Sequence, residues 1–256
     1  MIISRMKLWD ALDLDATGPP AVVTIVGGGG KTSLLYRLGR EAGQRGVRAV
    51  LSGTARFTPA PRSQMPPVVQ LNESELVAAV ERALAVEPVV VASTRREARG
   101  RLGRISTATA DACAAIEGLG LLALEADGSK MLPFKAPDQH EPAIPSSATH
   151  LIAVVGADAI DAPLDAEHVH RPEQIRALVG GSEAICTVEV IARVLASEQG
   201  GRKGVGDLPY CVLINKADLA PAPAADLAAA LRDLGVPRVV VASLREGVSP
   251  VREVLS

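Results

Sequence analysis

The sequence predicts an α/β fold in which helices flank a doubly wound, mostly parallel sheet. Short runs rich in Val, Leu, Ile and Ala alternate with segments of helical periodicity along the 256 residues. Most of these runs are continuously apolar, as strands are when both faces of a sheet are covered. Aromatic residues make up only 2% of the chain, so aliphatic side chains must fill the core. Strand–helix alternation of this kind is typical of right-handed crossovers between parallel strands.

Each predicted strand is a short apolar run: Ala21–Val26, Val47–Ser52, Pro88–Ala92, Leu119–Ala126, His150–Val155, Tyr210–Asn215 and Arg238–Ala242. Amphipathic segments between them predict helices over Lys31–Gln44, Glu73–Ala85, Thr107–Glu117, Arg171–Val179, Val188–Ser197 and Ala224–Leu234. In the first helix, four apolar residues share one face at helical spacing, namely Leu34, Leu35, Leu38 and Ala42. We expect that face to pack on the sheet.

Two proline-rich stretches, Gly53–Pro67 and Gly128–Ala148, interrupt this alternation. A connection longer than about 15 residues inside a compact domain is commonly functional. The sequence has no internal repeat and no stretch with the composition of a linker. Residues 1–256 are therefore predicted to form one elaborated domain.

Charge and cysteine content exclude several classes of partner. The 27 Lys and Arg residues nearly balance the 29 Asp and Glu residues, so no overall field would recruit nucleic acid or an anionic membrane. The arginine-rich stretch Arg95–Arg101 is better interpreted as a solvated or phosphate-facing loop. Three scattered cysteines indicate a reducing compartment. With no signal peptide and no apolar run of about 18 residues, we expect a cytoplasmic protein.

The strongest local motif is a glycine-rich turn between a predicted strand and a helix, Gly27-Gly28-Gly29-Gly30-Lys31-Thr32-Ser33. Glycines let successive backbone N–H groups converge on an anion, and the helix N-terminus adds partial positive charge. Lys31 would reach the terminal phosphates, and the Thr32 hydroxyl would coordinate Mg²⁺. Because Ile25 stands where the usual phosphate loop has its first glycine, the motif is a shortened G-x-x-G-K-T. It predicts a P-loop NTPase-like fold; the alternative is a flexible turn before a helix.

A second motif, Asn215-Lys216-Ala217-Asp218, fits N-K-x-D at the end of a strand. The Asp218 carboxylate can accept from both the ring N–H and the amine of guanine, a pair that adenine lacks. Lys216 would lie over the base and Asn215 would fix the loop, so GTP is predicted over ATP. After the last strand, Ala242-Ser243-Leu244 would supply a backbone contact to the base carbonyl. The alternative is that Asp218 only caps the following turn.

An acidic pair, Glu125 and Asp127, closes another apolar run. A carboxylate there is costly to bury unless it meets a cation or hydrogen-bond donors. Asp127 is therefore predicted to hold Mg²⁺ beside Thr32, with Glu125 as the alternative ligand; otherwise Asp127 only begins a turn. The general base stays open between Asp127, Glu125 and His140.

Further charged side chains follow on the loop that leaves this run and at the start of a later helix. They are Lys130, Lys135, Glu141, His170 and Arg171. The loop leaves the carboxyl end of its strand, which is where ligands bind in open α/β sheets. These residues are candidates to contact an anionic substrate or the γ-phosphate, or to act as a switch. The alternative is a solvated loop with scattered charges.

In their order along the chain, these motifs resemble the YqeC family. The residues that carry the resemblance are Val26–Ser33, Glu125-Ala126-Asp127-Gly128, Lys135-Ala136-Pro137, His140-Glu141-Pro142, Val155-Gly156-Ala157-Asp158, His170-Arg171-Pro172-Glu173 and Asn215-Lys216-Ala217-Asp218. The resemblance implies an accessory protein for selenium-dependent molybdenum hydroxylases. Members carry a threonine run after the second strand, where this chain has Ser52-Gly53-Thr54-Ala55-Arg56. Thr54 is thus the remaining candidate there for Mg²⁺ or a switch.

The leading hypothesis is a Mg²⁺-dependent nucleoside triphosphatase, with GTP preferred over ATP, that helps to mature a molybdenum hydroxylase. Its partners would be that enzyme or its cofactor, and Gly53–Pro67 would respond to loss of the γ-phosphate. A second hypothesis is a kinase, ligase or nucleotidyltransferase acting on a small anionic substrate or on molybdenum cofactor. A third is a carrier or chaperone that binds nucleotide or molybdenum cofactor without turning it over.

Overall fold

The computed structural model describes residues 6–15, 17–95, 100–245, 247 and 249–256, which build one nine-stranded sheet. The strands are β1 (Ala21–Gly27), β2 (Ala49–Gly53), β3 (Val68–Gln70), β4 (Val89–Ser93), β5 (Leu121–Glu125), β6 (His150–Gly156), β7 (Tyr210–Asn215), β8 (Arg238–Ala242) and β9 (Val251–Leu255). The helices are α1 (Leu8–Ala11), α2 (Lys31–Gln44), α3 (Glu73–Leu84), α4 (Thr107–Ala114), α5 (Pro172–Val179), α6 (Val188–Ala196) and α7 (Pro221–Asp233).

The sheet order is β3-β4-β2-β5-β1-β6-β7-β8-β9, and within the described residues only β9 runs antiparallel to its neighbour. The predicted α/β class with a mostly parallel sheet is therefore confirmed. All seven predicted strands form, and each begins and ends within two residues of its predicted bounds. None of the helices in the described ranges is long and apolar enough to cross a bilayer.

Side chains from the central strands alternate between two buried faces, which explains their continuous apolar runs. One face packs under α1 and α2, and it receives the predicted stripe Leu34, Leu35, Leu38 and Ala42. The opposite face packs under α3 and α4 at one side of the sheet and under α5, α6 and α7 at the other. Each leucine of the stripe is fully buried, which stabilises the fold by about 1.5–3 kcal/mol per side chain.

Three short elements were not predicted from the sequence: α1, β3 and β9. Helix α1 has four residues, and β3 has three, so neither is long enough to show a period. Strand β9 is an edge strand whose two central residues, Arg252 and Glu253, are exposed and charged. Short and charged edge strands of this kind discourage pairing with another chain, and they also weaken the apolar signal that identifies a strand.

The carboxyl ends of the parallel strands bring the sequence motifs to one edge of the sheet. Strand β1 lies between β5 and β6 and is in register with both. The chain leaves β1 for β2 on one side and later passes from β5 to β6 on the other, so the strand order reverses at β1. In open α/β sheets a ligand crevice opens at such a reversal. The glycine turn after β1 occupies it.

Candidate functional site

The glycine turn connects β1 directly to α2, whose first residue is Lys31. Glycine is required here by close packing as much as by ligand access. A Cβ on Gly30 would lie 2.2 Å from the Asn215 side-chain nitrogen, and one on Gly29 would lie 2.3 Å from the Gly156 nitrogen. The backbone of Gly30 has φ +151°, which also disfavours other residues.

Three N–H groups of the turn are already bonded within the protein: Gly27 to Asp127 Oδ2 at 2.9 Å, Gly28 to the Val154 carbonyl at 2.9 Å, and Gly29 to the Leu132 carbonyl at 3.0 Å. This corrects the prediction that the N–H groups of all four glycines converge on an anion. The N–H groups that remain belong to Gly30 through Ser33, at the start of α2. The first four N–H groups of a helix have no partner within it, so an anion is expected to bind there.

Beside this turn, Asp127 lies between two buried lysines. Lys31 Nζ is 3.1 Å from Asp127 Oδ1, and Lys135 Nζ is 3.0 Å from Asp127 Oδ2. Lys31 Nζ also donates to the Gly27 carbonyl. All three charged side chains are less than 5% exposed. The carboxylate at the end of β5 is thus neutralised by lysines from two different segments, as the cost of burying a charge demands.

Oxygen atoms suited to Mg²⁺ converge next to Lys31. The Thr32 hydroxyl donates to Glu125 Oε1 at 2.6 Å, and the buried Asp127 Oδ1 faces the Lys31 ammonium at 3.1 Å. Burial raises the pKa of Glu125, opposed by the charge of Lys31 and the hydrogen bond from Thr32. No cluster of three or more His, Cys, Asp or Glu side chains that could hold a metal occurs in the described ranges. The set fits Mg²⁺, which takes few carboxylates and completes its shell with water and phosphate oxygens.

Lys135, Glu141 and Arg171 form an ion network behind Asp127. Glu141 Oε2 lies 2.5 Å from Lys135 Nζ and 2.7 Å from Arg171 Nη1. Burial would raise the pKa of Glu141, but the Arg171 hydrogen bond and the Lys135 charge hold it at about 2. The three residues predicted as substrate or switch contacts, Lys135, Glu141 and Arg171, therefore form ion pairs with one another. Lys135 spends its donors on Asp127, Glu141 and the Gly128 carbonyl, so its role is that of a buried counter-ion.

The two histidines predicted near the site, His140 and His170, differ in exposure. His140 is exposed in a turn, and it does not line the cavity described below. This argues against His140 as the general base. His170 is half-buried beside Arg171, Lys135 and Lys130; burial and these three positive charges lower its pKa to about 4.

Lys130 lies in a strained turn above the glycine loop. Lys130 and Met131 have φ +50° and +68°, and Leu132 N donates to the Ser129 carbonyl at 2.9 Å. Two successive left-handed residues define a type I′ turn, which normally carries Asn or Gly. Each such residue other than glycine costs on the order of 1 kcal/mol. The turn is nonetheless fixed, because the Leu132 carbonyl accepts the N–H of Gly29.

Asn215 joins the glycine turn to the end of β7. Its side-chain nitrogen donates to the Gly29 carbonyl at 2.7 Å, and its Oδ1 accepts from Leu244 N at 3.0 Å. The side chain is buried, so these bonds are not exchanged with water. Asn215 therefore fixes the loop, as predicted, and it does so by tying together three segments.

The two charged residues of the Asn215–Asp218 motif, Lys216 and Asp218, face outward. Lys216, with φ +61°, pairs with Asp158 at 2.6 Å, and both side chains are about one-third exposed. Asp218 is exposed at the mouth of the cavity, followed by Leu219, which is 65% exposed. The partner of Lys216 is thus Asp158, two residues after β6. The Asn215–Asp218 motif by itself did not predict this ion pair.

Ser243 holds the Asn215–Asp218 loop from behind. Its hydroxyl accepts from Asp218 N at 3.1 Å and from Arg252 Nε at 3.0 Å. Its own N–H donates to the Pro250 carbonyl at 2.8 Å. Since Ser243 is buried and its N–H is already bonded, the predicted backbone contact to a base must be corrected.

The Thr54 hydroxyl is bonded within the protein. The side chain is buried, and the hydroxyl donates to the Ala143 carbonyl at 2.6 Å. Thr54 thus ties the start of the Gly53–Pro67 loop to the Gly128–Ala148 loop, and its role in binding Mg²⁺ or as a switch stays a prediction. It is not among the residues that line the cavity.

One cavity of about 410 Å³ brings most of the predicted residues together. Its glycine-loop end consists of Gly29–Ser33, Glu125 and Asp127, and its Asn215 end consists of Asn215, Lys216, Asp218, Leu219, Leu244 and Arg245. The remaining lining residues are Thr58, Arg101, Ser129, Lys130 and Met131. Sequence reasoning missed six of these as individual site residues: Thr58, Arg101, Ser129, Met131, Leu219 and Arg245. A weak signal existed for Arg101, in the arginine-rich stretch, of which residues 96–99 lie outside the described residues.

Comparisons with known proteins cover much of the chain. The family model described as YqeC protein matches residues 23–173. A protein of Escherichia coli (strain K12) named "Uncharacterized protein YqeC" is 33% identical over 196 residues, which are 76% of this chain and 75% of that protein. The structure of chloroplast FtsY from Physcomitrella patens aligns at 17% identity with a TM-score of 0.42, covering 94% of this chain. The alignment spans 64% of the FtsY chain, less than two thirds of its length.

Proposed function

The chain belongs to the YqeC family, and we propose that it binds and hydrolyses a Mg²⁺–nucleoside triphosphate, with guanine preferred, in maturing a molybdenum hydroxylase. The observation that carries the proposal is that one cavity contains both the free N–H groups of α2 with Lys31 and the Asn215–Asp218 loop. Its volume of about 410 Å³ lies within the usual range of ligand pockets, roughly 300–1,000 Å³. The link to molybdenum enzymes rests on the resemblance to the family.

The chemistry at the glycine-loop end would be charge neutralisation and positioning, which dominate phosphoryl transfer. Lys31 is 3.1 Å from Asp127 and can exchange that partner for a phosphate, since Lys135 continues to neutralise the carboxylate. Mg²⁺, when bound, would add positive charge at the phosphates, held by Thr32 with Asp127. Burial raises the pKa of Glu125 and so makes its carboxylate a stronger proton acceptor, and its Oε1 already accepts the Thr32 hydroxyl, so we assign it the general-base role.

The first experiment measures nucleotide binding and phosphate release by the wild type and by Lys31→Ala. Loss of a charge-assisted contact should weaken triphosphate binding about tenfold to hundredfold. The fold should survive, because Asp127 keeps its pair with Lys135. Lys203→Ala serves as the control, since Lys203 lies outside the cavity and bonds to the Asp138 and Gln139 carbonyls. Unchanged triphosphate affinity in Lys31→Ala would contradict the proposal.

The base preference has its own experiment, Asp218→Asn. This change replaces an acceptor by a donor at an exposed position, so it should move preference from guanine toward xanthine nucleotides without lowering thermal stability. Competition binding of GTP, XTP and ATP to the wild type and the variant measures this preference. Equal affinity of the wild type for GTP and ATP would show that Asp218 does not read guanine.

A second cavity favours one alternative, transfer to a small anionic acceptor. It measures about 710 Å³, and it shares Thr32, Ser33, Leu244 and Arg245 with the first cavity. Arg40 also lines it, so an anion could bind there beside the phosphates. Phosphate release from GTP and Mg²⁺ alone supports hydrolysis, whereas turnover that begins only when an acceptor such as molybdate is added supports transfer. Binding without turnover under both conditions supports a carrier.

A further inference from the structure

We infer that Arg101 contacts the terminal phosphate of a bound triphosphate and thereby distinguishes a triphosphate from a diphosphate. The inference rests on the proposed function and adds to it a determinant of which nucleotide state is bound. Arg101 lies in the loop between β4 and α4, in a different segment of the sequence from the glycine turn and the acidic pair.

The position of Arg101 is fixed from one side and open on the other. Its Nη2 donates to the Arg56 carbonyl at 2.6 Å, which anchors the guanidinium to the Gly53–Pro67 loop. Its Nε is buried, and among the described residues it has no hydrogen-bond partner. A buried donor left without a partner is uncommon and calls for a ligand or water. The side chain lines the cavity itself.

Arg101 lines the same cavity as Lys31, Thr32 and Glu125 of the glycine-loop end. Its positive charge also acts on Glu125, the carboxylate that accepts the Thr32 hydroxyl. Arg101 reaches the cavity from the loop before α4, while Lys31 reaches it from the first turn of α2. Two cations on different elements around the free α2 N–H groups match an anion with several charged oxygens.

A guanidinium suits this position better than an ammonium. It offers a planar fork of donors that matches two phosphate oxygens, and it keeps its charge when partly buried. The N–H groups at the start of α2 would bind the inner phosphates, and Arg101 would meet the terminal phosphate together with Lys31. The contact would then exist with a triphosphate and disappear with a diphosphate.

Calorimetric titration of GTPγS and GDP, each with Mg²⁺, tests the inference on Arg101→Ala, Arg101→Lys and the control Arg104→Ala. Arg104 is three residues away and exposed, and it does not line the cavity. We expect Arg101→Ala to weaken GTPγS about tenfold to hundredfold and GDP less than about twofold. Arg101→Lys should lie between, and Arg104→Ala should match the wild type.

Equal weakening of both nucleotides would overturn the inference, because it would mean that Arg101 only supports the loop. Unchanged GTPγS affinity in Arg101→Ala would overturn it as well. If Lys31→Ala loses GTPγS while Arg101→Ala does not, only the assignment of Arg101 fails. If the wild type binds neither GTPγS nor ATPγS, the proposed function fails and this inference with it.

Discussion

The two ends of the cavity differ in how their charges are held. At the glycine-loop end, Lys31, Glu125 and Asp127 are 5% exposed or less, and each bonds to another side chain of the site. At the Asn215 end, Asp218 is exposed and Lys216 makes one ion pair that is partly open to water. The first end is built before a ligand arrives, whereas the second presents charged side chains that a ligand can recruit. Affinity is thus expected from the first end and selectivity from the second.

The largest expected effect tests whether the buried ion cluster supports the fold. Asp127→Asn would leave Lys31 buried without its counter-ion, while Lys135 keeps Glu141, and the loss should cost about 3–5 kcal/mol of unfolding free energy. The matched change at the other end, Asp158→Asn, removes a partly exposed pair and should cost less than about 1 kcal/mol. Urea denaturation of both variants measures the difference. Equal losses would erase the contrast between the two ends.

An intermediate effect is expected from cutting the link between the ends. Asn215→Ala leaves the Gly29 carbonyl and the Leu244 N–H without partners in a buried place, which should cost about 1–3 kcal/mol. Asn215→Asp is the informative comparison, since it keeps the acceptor for Leu244 but places a carboxylate against the Gly29 carbonyl. Thermal unfolding of both should rank them below the wild type. A fully stable Asn215→Ala protein would mean that the ends are independent.

The smallest effect concerns pH and the network behind Asp127. The pKa of His170 is lowered to about 4, so between about pH 6.5 and 4 the unfolded chain binds a proton there that the folded protein does not. Stability should fall as the pH drops through that window. His170→Gln should reduce the loss of unfolding free energy across this window by about 1 kcal/mol or less, since the side chain is half-exposed. Part of the slope should stay, because burial also lowers the pKa of His150.

Unfolding measured at several pH values, with His140→Gln as the exposed control, tests that slope. Glu141, with its pKa near 2, contributes in the same direction only below about pH 4.5, where its carboxyl begins to protonate in the unfolded chain. The interval from pH 6.5 to 4.5 therefore separates the two groups. A slope unchanged by His170→Gln would show that this histidine is solvated.

Much of the fold could be predicted because its strands are apolar on both faces and its helices are amphipathic. The resemblance to the YqeC family, carried by motifs at strand ends, is confirmed as well. Spacing located Lys31, Thr32, Asp127 and Asn215 correctly at the cavity, since residues at the carboxyl ends of neighbouring parallel strands must meet.

The sequence could not predict which polar groups would be used up internally. Lys135 looks like a substrate ligand until its contacts with Asp127 and Glu141 are seen. Likewise, we expected Ser243 to offer its backbone N–H to a base. That N–H already donates to the carbonyl of Pro250, the residue before β9. These partners are only six to eight residues apart, but they lie in irregular loops, where no helical or strand period predicts which groups meet.

The internally bonded glycine turn has a consequence for how a ligand would bind. Because the amides of Gly27, Gly28 and Gly29 are held by neighbouring oxygens, the loop is ordered before binding. Little conformational entropy is then lost when an anion arrives, and association need not wait for the loop to rearrange. In hydrogen exchange these three amides should be slow in the free protein and little changed by ligand. Those of Gly30 through Ser33 should become protected only when the site is filled.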